Sequence, residues 1–277
     1  MLYSFPYRSF PRGTLIRDSA GNLYGQSIGV VFKLTPAGRF IVLHTFTAGG
    51  PPGSLARDSA GNLYGYDGVG TGSLFKLTPS GAYSLLYTFC SQSNCADGSN
   101  PVGAPIIKSD GNFYGNTSDG GSLNNGTIFE VTPQGQETVL YSFMGGSDGA
   151  NPTSKLTQDA AGNLYGTTYN GGGNNYYSDG VVFKLTPTGV ESVLYAFCSL
   201  SGCADGVEPE GPVILDVGGN VYGTTSEGGS TNDGVVFKLS PSGEETIIYD
   251  APGLPGVGTA VVMDKSGNLY GGKRYVR

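Results

Sequence analysis

Short apolar stretches alternate with turn-forming residues along the chain. In its first part, Thr14-Leu15-Ile16-Arg17 runs into Asp18-Ser19-Ala20-Gly21, and a second stretch opens at Asn22. A third, 30–34, stops at Thr35-Pro36-Ala37-Gly38, and a fourth runs over 40–46. Pro presets a turn dihedral and Gly supplies positive φ, so these breaks favour reversals of direction. Runs of this length between such breaks read as strands. The pattern therefore predicts a four-stranded antiparallel sheet.

That sheet is predicted six times. A Gly-Asn-apolar-Tyr-Gly core recurs at 21–25, 61–65, 111–115, 162–166, 219–223 and 267–271. After the first five come an apolar-Phe-charged-apolar segment ending in Pro, then a segment of Leu-Tyr-x-Phe type beginning at Leu43, Leu86, Leu140, Leu194 and, more loosely, Ile248. One such sheet cannot bury both faces alone, so units must stack, and radial stacking leaves only short protected edges. The expectation is an all-β, six-bladed β-propeller with four antiparallel strands per blade, forming one domain over 1–277. Its units are 13–46, 53–89, 103–143, 153–197, 211–249 and 258–277. The sixth unit has candidate strands at 259–263, 268–272 and 274–277, then ends. Its fourth strand is expected from Leu2-Tyr3-Ser4-Phe5, a three-plus-one closure.

Asp-Ser-Ala-Gly-Asn-Leu-Tyr at 18–24 and 58–64, followed by an apolar-Phe-Lys-Leu segment, resembles the NHL-type propeller repeat. A fuller similarity is to the bacterial choice-of-anchor tandem repeat of the GloVer type. Unit four carries that pattern at 162–168, Gly171-Gly172, 180–187 and 193–197. The resemblance covers essentially the whole chain. It implies an extracellular bacterial propeller with a variable anchor, and it supplies no catalytic residues.

Composition narrows the function. Gly is abundant, at 48 of 277 residues, but 18 Tyr and 13 Phe at recurring places supply burial that disordered chains lack. A net charge of −7 without a Lys/Arg-rich window argues against a nucleic-acid partner. No apolar run is long enough for membrane insertion. Met1-Leu2-Tyr3-Ser4-Phe5 lacks the basic flank and apolar core of a signal peptide, so any export signal and anchor are expected outside this sequence. Cysteines occur as two C-x4-C segments, each followed by Ala-Asp-Gly. With a single histidine, zinc chemistry is disfavoured, and disulfides Cys90 with Cys95 and Cys198 with Cys203 are the economical reading. They point to an oxidising compartment, hence a secreted or cell-surface location.

In a four-stranded blade, the turns after the first and third strands share one face, and here they are short and uniform. The opposite face is elaborated over units three to five, by loops at 118–126, 169–180 and 226–234 and at 90–103, 144–153 and 198–211. Loops held on a rigid scaffold are where binding residues concentrate. The candidate ligand-binding residues are Asp119, Asp148, Tyr169, Asn170, Tyr176, Tyr177, Asp179, Asp205, Glu208, Glu227 and Asp233. Neighbouring Asn174, Asn175 and Asn232 belong to the same loops. Tyrosine rings beside amides and carboxylates suit a glycan; the alternative is that Tyr176, Tyr177 or both pack the long loop onto its neighbour. Asp97, Asp148 and Asp205 open Asp-Gly-x-Asn/Glu-Pro segments. Their oxygens suit Ca²⁺ or sugar hydroxyls, but the commoner role of such a residue is to cap turn amides.

A Ser/His/Asp triad has only His44 to draw on, and it sits in a fourth strand. Paired carboxylates could serve a glycoside hydrolase, and Tyr with a cation a lyase. Arg17, Arg57 and Lys108 read as one cationic column, either attracting an anion or salt-bridged to Asp18, Asp58 and Asp110. The balance favours a binding or surface-scaffold propeller whose partner is a glycan or cell-surface component, with Ca²⁺ a candidate cofactor. A carbohydrate-active hydrolase or lyase on the same face comes second, and a purely structural assembly module third.

Overall fold

Strand-forming sequence and tight turns give an all-β chain. The computed structural model describes residues 12–27, 29–46, 53–68, 70–173, 179–250 and 260–271. Among them the regular elements are antiparallel strands and three single-turn 3-10 helices. Repeat one is a sheet of Arg12–Arg17, Leu23–Ser27, Val30–Leu34 and Phe40–Thr45 in that order. Repeats two, three and five follow the same order. In repeat four the first strand is split into Ala150–Pro152 and Thr157–Gln158, both paired with Leu164–Asn170. Part of the segment expected as a loop before repeat three is instead strand, Ser99–Ile107. Repeat six contributes Val261–Met263 and Leu269–Gly271. Its expected third strand and the N-terminal strand lie outside the described residues. The chain divides into two compact units, residues 1–120 with 128–140, and residues 121–127 with 141–277.

The third strand carries the core. Phe32, Phe75, Phe129, Phe183 and Phe237 are at most 1% exposed, and burying each contributes roughly 1.5–3 kcal/mol. The glycine closing each Gly-Asn-x-Tyr-Gly core exists to admit these rings. A Cβ on Gly25, Gly115 or Gly223 would stand 2.8, 2.6 or 2.5 Å from the Cζ of the facing phenylalanine. The first glycine of the core has a different reason: Gly21 sits at φ +81° and Gly162 at +87°, a turn conformation that side chains rarely adopt.

The fourth strand is the sheet edge. In repeats one, two, four and five its register shifts by one residue, so that Phe32 faces Val42 while Val31 faces His44, leaving Leu43 bulged. A bulge twists an edge away from further pairing and so protects it. His44 serves this packing: its ring stacks on Tyr83 at 4.2 Å and meets Phe46 edge-on, and burial holds its pKa below the ordinary value.

Candidate functional site

On the short-turn side, one device recurs. Asp18 accepts hydrogen bonds from the Asn22 amide N–H (2.8 Å), the Asn22 side chain (2.8 Å) and the Tyr24 hydroxyl (3.0 Å). Asp58, Asp159, Asp216 and Asp264 do the same in their own repeats. Bonds from Asn22 hold the Asp18 pKa down at about 2, against the opposing pull of desolvation. These carboxylates are thus spent on the turn, and the expected pairing with the preceding arginines gives way to it. The Arg57 guanidinium lies instead 5.7 Å above the Tyr24 ring.

Repeat three corrects the cationic column. Arg17 pairs with Leu23 and Arg57 with Leu63, but the residue paired with Phe113 is Ile107, so Lys108 stands where the other repeats have the capping Asp. Glu130 in turn replaces the lysine of the third strand and accepts hydrogen bonds from the Asn112 side chain (2.5 Å) and the Tyr114 hydroxyl (2.6 Å). Elsewhere that lysine hangs over the tyrosine ring, as Lys33 does over Tyr24 at 5.6 Å; here Lys108 covers Tyr114 at 3.8 Å. Carboxylate and cation have exchanged strands around one tyrosine.

The Asp-Gly loops are anchored by their aspartates. Asp97 is fully buried and accepts bonds from the Tyr87 hydroxyl (2.6 Å), the Ser91 amide and hydroxyl (2.8 and 2.9 Å) and the Gln92 amide (3.2 Å). Asp205 repeats this with Tyr195, Ser199 and Leu200. Asp148 holds the Tyr141 hydroxyl and the Met144 amide, both at 2.8 Å. Their oxygens cap turn groups, the commoner role for such residues. Both disulfides are formed, Cys90 with Cys95 and Cys198 with Cys203, which suits an oxidising environment.

Beside each anchor stands a glutamate that linear reading passed over. Glu137, Glu191 and Glu245 begin the fourth strands of repeats three to five. Each has its pKa pushed up to about 7, first by burial and then by the charge of Asp97, Asp148 and Asp205 respectively. Their shared position was the available signal: Phe40 and Tyr83 occupy it in repeats one and two.

The second compact unit gathers the candidate face. Tyr169 and Asn170 end the second strand of repeat four. The Tyr169 pKa is pushed up to about 12, first by burial and then by the neighbouring Glu208, Glu210 and Glu227 carboxylates. Glu208 lies at φ +56°, the left-handed region that its sister residues Asn100 and Asn151 also occupy at +55°. Asparagine tolerates that conformation, whereas glutamate does so at a cost. The Glu208 amide donates to the Asp179 carbonyl (3.2 Å), and its carboxylate accepts from the Ser226 hydroxyl (3.3 Å). Val207 and Glu227 are joined by paired backbone bonds of 2.9 and 3.3 Å. Asn170 donates to the Asn151 side chain at 2.9 Å. Asp179 is buried, with its pKa raised by burial and then by the Asp205 charge. Asp233 accepts from Thr231 at 2.7 Å.

The structure therefore brings Tyr169, Glu208 and Glu227 together and adds Glu210. Asp148 and Asp205 serve as loop anchors. Asp119 lies in the first unit, where it accepts from Asn100 (2.9 Å) and Ser118 (2.7 Å). Asn174, Asn175, Tyr176 and Tyr177 fall outside the described residues. Among the described residues no group of three His, Cys, Asp or Glu is arranged to hold a metal ion, and no helix is long and apolar enough to cross a membrane.

Solved structures with this fold include virginiamycin B lyase from Staphylococcus aureus, at TM-score 0.67 and 15% identity over 96% of this chain and 78% of that one. A streptogramin B lyase matches at TM-score 0.66 and 16% identity, covering 94% of this chain and 75% of that one. A gluconolactonase from Xanthomonas campestris matches at TM-score 0.59 and 15% identity, covering 95% and 84%. At these identities the likeness concerns the fold. No curated protein sequence matches the chain. A model of the Gloeobacter/Verrucomicrobia repeat matches residues 67–276. With its sixfold core and its antiparallel repeat sheets, the chain belongs to the Gloeobacter/Verrucomicrobia repeat family.

Proposed function

We propose that this is a secreted or surface-displayed six-bladed propeller, closed by its N-terminal strand, that binds glycan on its elaborated loop face. The observation carrying the reading is the Tyr169–Glu208 pair: a half-buried ring beside a carboxylate held in a conformation that costs energy. Strained residues cluster where a side chain must be aimed at a ligand. The ring offers an apolar face to sugar C–H groups, and Glu208, Glu227 and Asn170 offer acceptors and a donor to hydroxyls. Ca²⁺ remains a candidate co-ligand of this face.

A hydrolase or lyase on the same face is the second reading, and the likeness to lyase and lactonase folds supports it. One feature weighs against a tyrosine base. With its pKa pushed up to about 12, Tyr169 keeps its proton at neutral pH and acts as a donor. A purely structural module is the third.

The test is a glycan array with and without Ca²⁺, with product analysis on each hit and with Tyr169→Phe and Glu208→Asn variants. Relief of backbone strain by Glu208→Asn is expected to stabilise the fold by about 1 kcal/mol while weakening glycan binding. Turnover of any hit moves the assignment to the enzyme. No bound glycan, or binding untouched by either substitution, removes the glycan reading.

A further inference from the structure

Gln26, Tyr66 and Asn116, all in the first compact unit, are buried to within 1% of complete. Among the described residues, both amide heteroatoms of Gln26 and of Asn116, and the Tyr66 hydroxyl oxygen, have no hydrogen-bond partner. The three are not scattered. Each follows the closing glycine of its core, on the second strand of repeats one, two and three. The same place in repeats four and five holds Thr167 and Thr224, equally buried. Thr167 is served by protein: its hydroxyl donates to the Gly211 carbonyl (3.3 Å) and lies 3.2 Å from the Ser154 hydroxyl.

A buried polar group keeps its place when it is paired with protein or with ordered water. Five unpaired atoms in one half of a domain would together cost as much as a typical fold's entire net stability. The position also repeats, which argues against five independent accidents. The closing glycine of the following repeat is what admits each of the first two side chains. The Gln26 amide nitrogen stands 2.8 Å from where a Gly65 Cβ would be, and the Tyr66 hydroxyl points at the corresponding place on Gly115. A cavity of about 220 Å³ is lined by Asp67, Gly68, Gly72, Asn100, Pro101 and Val102; Asp67 directly follows Tyr66, and Val102 is the strand partner of Asn116.

We propose that Gln26, Tyr66 and Asn116 form internal water sites, with ordered water as the fixed ligand of this strand position in the first unit. Carboxamide and phenol each offer a donor and an acceptor, and the set carries no charge, which matches water better than an ion. In repeat four the shorter threonine reaches protein partners and dispenses with the solvent molecule.

Tyr66→Phe gives a test whose sign decides, because it removes one oxygen and keeps the ring. If water is bound there, the variant strands a water that has lost a partner, and the melting temperature falls by about 2–4 °C. If the oxygen is unpaired, removing it raises the melting temperature. Gln26→Met is expected to behave alike, and Thr167→Val is the control in which a protein partner is lost. A crystal structure near atomic resolution provides the second readout, water oxygens about 2.6–3.2 Å from Tyr66 Oη and from the amide atoms of Gln26 and Asn116. A rise or no change in melting temperature for Tyr66→Phe, or density without water at these atoms, overturns the proposal.

Discussion

Replacing Glu191 with glutamine should make the protein more stable at pH 8 and leave it unchanged near pH 4. Glu191 lies half-buried against the Asp148 anchor, and its pKa moves from 4.5 to about 7, chiefly by burial and then by the Asp148 charge. A displacement of that size corresponds to roughly 3 kcal/mol at full strength. Because the side chain is half in solvent, screening reduces this to about 1–2 kcal/mol. The folded-state pKa lies above the unfolded one. Below about pH 4.5 both states are protonated, and the group contributes nothing. Between 4.5 and 7 the unfolded chain loses the proton first, so stability falls as pH rises and then levels off. Glutamine cannot ionise and escapes that loss. Asp97, Asp159 and Asp216, whose pKa values are lowered, act oppositely, with stability lost only as pH falls through their folded values below 3.8. The two windows therefore separate. Thermal melts followed by circular dichroism from pH 4 to 8 should show the Glu191→Gln advantage growing to about 3–6 °C at pH 8. An advantage of equal size at both ends, or a variant less stable at pH 8, would refute the reasoning.

Two further outcomes test the packing argument. Lys108→Asp and Glu130→Lys should each destabilise by about 1 kcal/mol, and together should recover most of the loss, because the pair exchanged roles around Tyr114; urea unfolding in a double-mutant cycle measures this. Gly115→Ala drives a Cβ to 2.6 Å from Phe129 Cζ and into the Tyr66 hydroxyl. It should cost about 1–3 kcal/mol, while Gly271→Ala, whose nearest neighbour is Val261 at 3.4 Å, should stay within about 0.5 kcal/mol.

Repeats, strand order and turns were readable from the residues alone, because each is local. A Gly-Asn-x-Tyr-Gly core needs its own glycine φ and its own capping aspartate, both within a few positions. The C-x4-C pairs and the Asp-Gly anchors also close short loops, so their bonding partners sit beside them in sequence. Register lies beyond that range. Lys108 looked like a counterpart of Arg17 and Arg57 by charge, and strand pairing moved it one place, onto the capping position, where Glu130, 22 residues later, takes up the exchanged charge. Tyr169 read as a loop residue; it ends a strand, and meets Glu208 only because the repeat-five loop returns to it. Glu137, Glu191 and Glu245 resemble ordinary strand starts until the preceding loop brings an aspartate alongside. Gln26, Tyr66 and Asn116 look like routine alternation, and their lack of hydrogen-bond partners among the described residues emerges only from the folded arrangement. Local dihedral and turn preferences act within a few residues. The burial, charge and contacts of these residues depend on segments roughly 20 to 50 residues apart, which strand alternation leaves undetermined by a register step.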